Sequence, residues 1–340
     1  MHARNFIIDS LEPRQLFASL TPAQTYLTSI SLPGVQKNWT IPIVAGQNIT
    51  LASSDRSGGA LETELILISP SGKTLRRSIG DKGAFMSYNA PVSGNYRVRL
   101  RDFGANNTGS VGVTAFYYAS TITDSDDAFS AQSGRRFAAT IEPGDLDVWT
   151  LSASQAQFLS VTATENKAGD VLDIGVLLIG PNGAVVSGKE SEKGIKLDVA
   201  GSSAGTYYAV VYEPGAENNG RYGISFARAP GTQYSGDPDT ATPLPPSTTR
   251  TGDLPGGDMD VFGIPISAGQ RISATVTRTT GLLSPEILLV DPTGSVVSTV
   301  NGSTTATLNY TATSGGTFWL VARDRESDNG GPYTIRYTFS

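Results

Sequence analysis

The sequence predicts an all-β protein: three tandem antiparallel β-sandwich domains of jelly-roll type. Three observations carry the prediction. The chain repeats itself with a period of 111 residues. Inside each copy, short apolar runs bounded by Gly and Pro turns follow one another at strand spacing. No window shows the 3.6-residue period of a helix.

The repeat rests on four anchors. Pro70-Ser71-Gly72 recurs as Pro181-Asn182-Gly183 and Pro292-Thr293-Gly294. Each follows an apolar run, residues 65–68, 176–179 and 287–290, short enough for a central strand of a sandwich. Gly94-Asn95-Tyr96 recurs as Gly205-Thr206-Tyr207 and Gly316-Thr317-Phe318. Asn107-Thr108-Gly109 recurs as Asn218-Asn219-Gly220 and Asn329-Gly330-Gly331. An aromatic (Trp39, Trp149, Phe262) opens each copy. A period this long exceeds the 20–50 residues of a solenoid unit, so each copy is a domain. The copies span residues 23–120, 121–230 and 231–340, after an N-terminal segment of residues 1–22 expected to be disordered or to serve targeting.

Each element then has a local reason. The opening aromatic strand ends at a Gly turn such as Ser267-Ala268-Gly269-Gln270, and the next strand follows, here residues 271–276. The strand after each Gly-x-aromatic alternates. Tyr96, Val98 and Leu100 fall on one face; Arg97, Arg99 and Arg101 fall on the other. The stretch 236–257 is rich in Pro, Thr and Gly.

Composition narrows the chemistry. Cys is 0 and the one His is His2, which excludes a thiol nucleophile, a Cys/His zinc site and a Ser-His-Asp triad in a folded core. The net charge of -6 gives no basic face for nucleic acid. No apolar run is long enough for a membrane helix. Gly201-Ser202-Ser203-Ala204-Gly205 spells a nucleophile elbow, but it lies in a turn between strands and has no His partner.

The order of these features (Asp-x-Asp-x-aromatic, Gly turn, strand, apolar run, Pro-x-Gly, Gly-x-aromatic strand, Asn-x-Gly, final strand) resembles the bacterial pre-peptidase C-terminal domain. The likeness covers nearly all of copies two and three and most of copy one. It implies a non-catalytic module of secreted or surface proteins, of a kind that binds protein fibres, carbohydrate or calcium. Residues 11–17 (Leu-Glu-Pro-Arg-Gln-Leu-Phe) resemble the LEPRxLL segment near the N-terminus of large exported bacterial proteins, with Phe17 in place of the second Leu. This implies sorting to the cell exterior or surface.

Two groups are candidate sites. The acids Asp124, Asp126, Asp127, Asp145 and Asp147 in copy two, and Asp237, Asp239, Asp258 and Asp260 in copy three, are hard oxygen donors of the kind calcium takes. Turn capping is the competing role for the same residues. Copy one carries Lys37-Asn38 where the second pair would stand. The aromatics Tyr208, Tyr212 and Trp319 lie on the outward face of the Gly-x-aromatic strands and suit flat contacts to a polysaccharide or fibrous protein. Cover by an adjacent copy is the competing reading. Residues 324–330 imitate the start of an EF-hand loop, but Ile335 stands where the closing Glu belongs, which leaves a hairpin loop.

The expected function is a non-enzymatic exported or cell-surface binding, adhesion or spacer protein, stiffened by calcium. One alternative is an accessory subunit that targets or masks a secreted hydrolase. A carboxylate-dependent hydrolase is the remaining alternative.

Overall fold

The computed structural model describes residues 17–118, 122, 130–165, 172–235 and 244–340. Its strands are β1 (Ala18–Ser19), β2 (Tyr26–Ile30), β3 (Gln36–Ile43), β4 (Asn48–Asp55), β5 (Thr63–Ile68), β6 (Thr74–Gly80), β7 (Gly83–Asn89), β8 (Gly94–Asp102) and β9 (Gly109–Tyr117) in the first domain. The second holds β10 (Arg135–Ile141), β11 (Asp147–Ala153), β12 (Phe158–Glu165), β13 (Ile174–Ile179), β14 (Val185–Ser191), β15 (Gly194–Ala200), β16 (Gly205–Tyr212) and β17 (Gly220–Ala229). The third holds β18 (Arg250–Leu254), β19 (Met259–Ile266), β20 (Arg271–Arg278), β21 (Pro285–Val290), β22 (Val296–Asn301), β23 (Thr305–Thr311), β24 (Gly316–Asp324) and β25 (Gly331–Phe339).

Each domain is two four-stranded sheets. In the second they run β10-β17-β12-β15 and β11-β16-β13-β14, in the third β18-β25-β20-β23 and β19-β24-β21-β22. Counted within a domain, the strands lie 1-8-3-6 and 2-7-4-5, the jelly-roll order. The first domain keeps this order, and β1 adds to its β3-β8-β5-β6 sheet, parallel to β3. The sequence set residues 1–22 apart from the fold. Their end instead belongs to the first domain, because Leu20 is an apolar side chain with a core to enter: it is buried there, and the Tyr117 hydroxyl donates to its carbonyl.

Period-two alternation builds each core. Tyr96, Val98 and Leu100 are fully buried in the first, as are Tyr207, Ala209 and Val211 in the second and Phe318, Leu320 and Ala322 in the third. The strand before each Pro-x-Gly turn carries a register shift at the same place, Leu67/Ile68, Leu178/Ile179 and Leu289/Val290. The two strongest sequence anchors also touch. A Cβ on Gly94, Gly205 or Gly316 would fall within 2.7, 2.6 or 2.6 Å of Pro70, Pro181 or Pro292, so the Pro turn requires glycine beside it.

Candidate functional site

Five of the predicted site residues within the described structure (Asp145, Tyr208, Tyr212, Asp258 and Trp319) lie at two seams, where one domain stacks on the next. The 2-7-4-5 sheet of a domain packs face to face on the 1-8-3-6 sheet of the domain before it. In the first seam Leu146, Val148, Ile179, Tyr208, Val210 and Tyr212 meet Ala23, Ala52 and Phe116 of the first domain. The Tyr212 ring lies parallel to Phe85, 4.0 Å between centroids. In the second seam Met259, Val261, Leu288, Val290, Trp319 and Val321 meet Phe158, Ala227 and Ala229.

The outward direction expected of Tyr208, Tyr212 and Trp319 is correct, but their role as an exposed binding face is not. They are only 8%, 3% and 9% exposed, because the neighbouring sheet covers them. Flat apolar side chains on an outward sheet face lose more water-accessible area by stacking domains than by waiting for a ligand.

The Asp-x-Asp pairs split into two duties. The first Asp sits in a turn pressed into the seam. Asp145 accepts hydrogen bonds from the Thr25 hydroxyl of the first domain (2.6 Å) and from the Leu146 amide (2.8 Å). The preceding carbonyls of Pro143 and Gly144 accept from Ser54 and Thr114. Asp258 repeats this arrangement: its carboxylate accepts from Ser225 of the second domain (3.0 Å) and from the Met259 amide, and Thr162 donates to the Gly257 carbonyl. Gly144 and Gly257 both have left-handed φ, +71° and +72°. A Cβ on Gly144 would stand 2.7 Å from the Ser54 amide nitrogen, so the contact needs glycine for space as well as for backbone.

The second Asp serves the core. Asp147 is buried and accepts from the Tyr222 hydroxyl (2.6 Å), which in turn accepts from the Trp149 indole (2.9 Å). Asp260 is buried and accepts from Tyr333. In copy one the corresponding residues are Lys37 and Val111: the acid and its phenol are replaced together. That paired replacement was visible in the sequence as a repeat-to-repeat covariation, though the residues lie 75 apart along the chain.

Asp145 bonds across the seam and Asp147 within the second domain, and Asp258 and Asp260 divide in the same way. Among the described residues no group of three or more acidic or histidine side chains gathers as a metal site. Asp124, Asp126, Asp127, Asp237 and Asp239 lie outside the described residues. The 324–330 loop is a capped turn: buried Asp324 accepts from the amides of Ser284 and Glu326. Asp102 and Glu213 cap the equivalent turns, Asp102 through the amides of Asn106 and Asn107, and Glu213 through that of Glu217.

The second seam also holds an ion network that sequence reading missed. Arg323 is 1% exposed. Its Nε donates to Glu286 on the adjacent strand (2.7 Å), and its two terminal nitrogens grip Asp198 of the second domain (2.7 and 2.6 Å) and Ser160. Lys196 reaches across to Glu286 (2.8 Å). Burial would raise the Asp198 carboxyl, but hydrogen bonds and charge from Arg323, with help from Ser160 and Lys196, hold it below the ordinary carboxylate range. Burial would likewise lower Arg323, and its two carboxylates hold it above the ordinary value.

No family model matches the chain, and no curated protein does. Solved structures do. The chain is similar to a pre-peptidase C-terminal domain of a collagenase from Bacillus anthracis, at 16% identity over 30% of this chain and 95% of that one, TM-score 0.26. It is also similar to an archaeal virus turret protein with a triple jelly roll, at 9% identity over 94% of this chain and 89% of that one, TM-score 0.20. A third similarity is to a glucan-utilisation protein of Bacteroides ovatus solved with a mixed-linkage heptasaccharide, at 16% identity over 88% of this chain and 72% of that one, TM-score 0.19. The all-β jelly-roll assignment stands on the strand order itself. No helix of the described residues is long and apolar enough to cross a membrane.

Proposed function

We propose that the chain is a non-catalytic, exported or cell-surface module: a stiff stack of β-sandwich domains that spaces and presents binding surfaces. The repeated seam carries this reading. The same sheet faces and the same glycine-aspartate turn, each turn taking hydroxyl donors from the preceding domain, join domain one to two and two to three. The acids that a carboxylate hydrolase would need are occupied in holding turns and cores, where Asp145 meets Thr25 and Asp147 meets Tyr222. Calcium would draw on the five aspartates outside the described residues together with Asp145, Asp147, Asp258 and Asp260, whose carboxylates keep acceptor capacity beyond their hydrogen bonds. The LEPR-like segment supports export.

The test is a broad screen of protease and glycosidase substrates with the purified chain. No turnover is expected. Turnover that is lost in both Asp145→Asn and Asp147→Asn, while their melting curves match the wild type, would overturn the proposal.

A further inference from the structure

The internal repeat allows one domain to be read against another at equal positions. Arg97, Arg99 and Arg101 on β8 stand where Tyr208, Val210, Tyr212 and Trp319, Val321, Arg323 stand in the other copies. In those copies the face is covered by the preceding domain's sheet. In the first domain the three arginines are partly exposed, and no other domain covers them among the described residues. Arg77 and Glu64 share the same face.

Arg101 and Arg323 match closely. Each stands opposite a glutamate on the adjacent strand: Glu64 beside Arg101, Glu286 beside Arg323. Each donates Nε to that glutamate, at 2.6 and 2.7 Å. Arg323 then gives its two terminal nitrogens to Asp198, which projects from the apposed sheet. Those of Arg101 meet no carboxylate among the described residues. Arg99 bonds Asn38 (3.3 Å), and Arg97 lies over the Phe17 ring (5.6 Å). Residues alternating on a strand are about 6.7 Å apart, so the three guanidinium groups form a ladder roughly 13 Å long. Burial and the flanking charges of Arg97 and Arg101 push Arg99 below the ordinary guanidinium value, and an arriving anion would relieve that crowding.

We infer that this arginine face docks a separate protein that presents a β-sheet face bearing carboxylates, with Arg101 gripping one of them as Arg323 grips Asp198. The inference borrows the sheet-on-sheet docking of the proposed module and adds a partner to it. A second copy of the chain does not fit. The third domain's equivalent outer face has Asn309 in place of Asp198, Arg336 in place of Ser225 and Arg271 in place of Phe158. It would set cation against cation.

The test supplies the missing chemistry. In the full chain, Asn309→Asp with Arg336→Ser converts the third domain's free face toward the second domain's pattern. Sedimentation velocity is expected to show concentration-dependent head-to-tail association of this chain, weakened by added salt, while the wild type stays monomeric. Adding Arg101→Ala should weaken association about 30-fold or more, and Arg101→Lys less. Thermal melting checks that each variant is folded. Four results would overturn the inference: a folded Asn309→Asp/Arg336→Ser chain that stays monomeric, association indifferent to Arg101, equal association of the wild type, or association only once residues 1–16 are removed, which would give the face to that segment. Arg101-dependent binding of polygalacturonate without association of the engineered chain would assign the face to an acidic polysaccharide and also overturn it. The hydrolase screen above is indifferent to all of these outcomes, so the two readings fail separately.

Discussion

Replacing Arg323 by Ala removes the centre of the second seam. The guanidinium is 1% exposed and makes four hydrogen bonds, to Glu286, Ser160 and both oxygens of Asp198. Its loss leaves Glu286, itself 4% exposed, with Lys196 as its remaining cation. Breaking a buried pair from one side costs about 3–5 kcal/mol, because the surviving charge stays desolvated. Asp198 is a third exposed as a side chain, so its own removal costs less, about 1–3 kcal/mol. The two losses should not add. A double-mutant cycle on Arg323→Ala and Asp198→Ala is expected to give a coupling energy of about 1–3 kcal/mol. Urea unfolding reads it, with fluorescence of Trp319 at the seam and Trp149 in the second core. The Arg323→Ala chain should show the Trp319 transition at lower urea than the Trp149 transition. A loss below about 1 kcal/mol, or strict additivity, would refute the claim that this network ties the domains.

Three further outcomes follow from the same geometry. Asp147→Ala removes a buried acceptor of the Tyr222 hydroxyl and should cost the second domain about 1–3 kcal/mol in chemical denaturation, equally in chelator and in millimolar calcium; a loss seen only with calcium would make Asp147 a metal ligand. Gly144→Ala puts a Cβ against the Ser54 amide and should loosen the first seam, read as faster amide exchange at Ser54 and Leu146, whereas Gly269→Ala, with left-handed φ but open space, should cost about 1 kcal/mol and leave both seams protected. The second seam should also weaken in acid. Asp198 is depressed in the folded state, so its contribution is complete above the unfolded carboxyl value near pH 4 and disappears as pH falls through the lower folded value; Asp198→Asn should flatten that acid-side loss of Trp319 protection, and an unchanged acid profile would contradict the assignment.

Much of the fold can be read from local pattern. The alternation at 96–101 assigns Tyr96, Val98 and Leu100 to the core and the three arginines outward, and the structure agrees because a strand's faces are fixed by its own period. The three Pro-x-Gly turns are legible because the chain shows the same solution three times. What covers an outward face is not written in its own strand. Tyr208, Tyr212 and Trp319 look like a ligand platform until the neighbouring sheet is in place, and the period identifies domains without saying how they stack. The aspartates were legible as a pattern but not as a function. Asp147 finds its phenol on the opposite sheet, and Asp145 finds its hydroxyl in another domain, at separations no local motif records. Arg323 was hidden for the same reason: its carboxylate partner Asp198 lies 125 residues away.

The repeated seams hold the domains in one fixed stack. The absence of cysteine makes that directly measurable, since Lys73→Cys in the first domain and Ser314→Cys in the third give two clean, exposed labelling sites. Electron-electron spin distances between nitroxides at these positions should form one narrow distribution in the otherwise wild-type chain, and broaden when Asp145→Ala and Arg323→Ala are combined. A broad distribution in the otherwise wild-type chain would contradict the account.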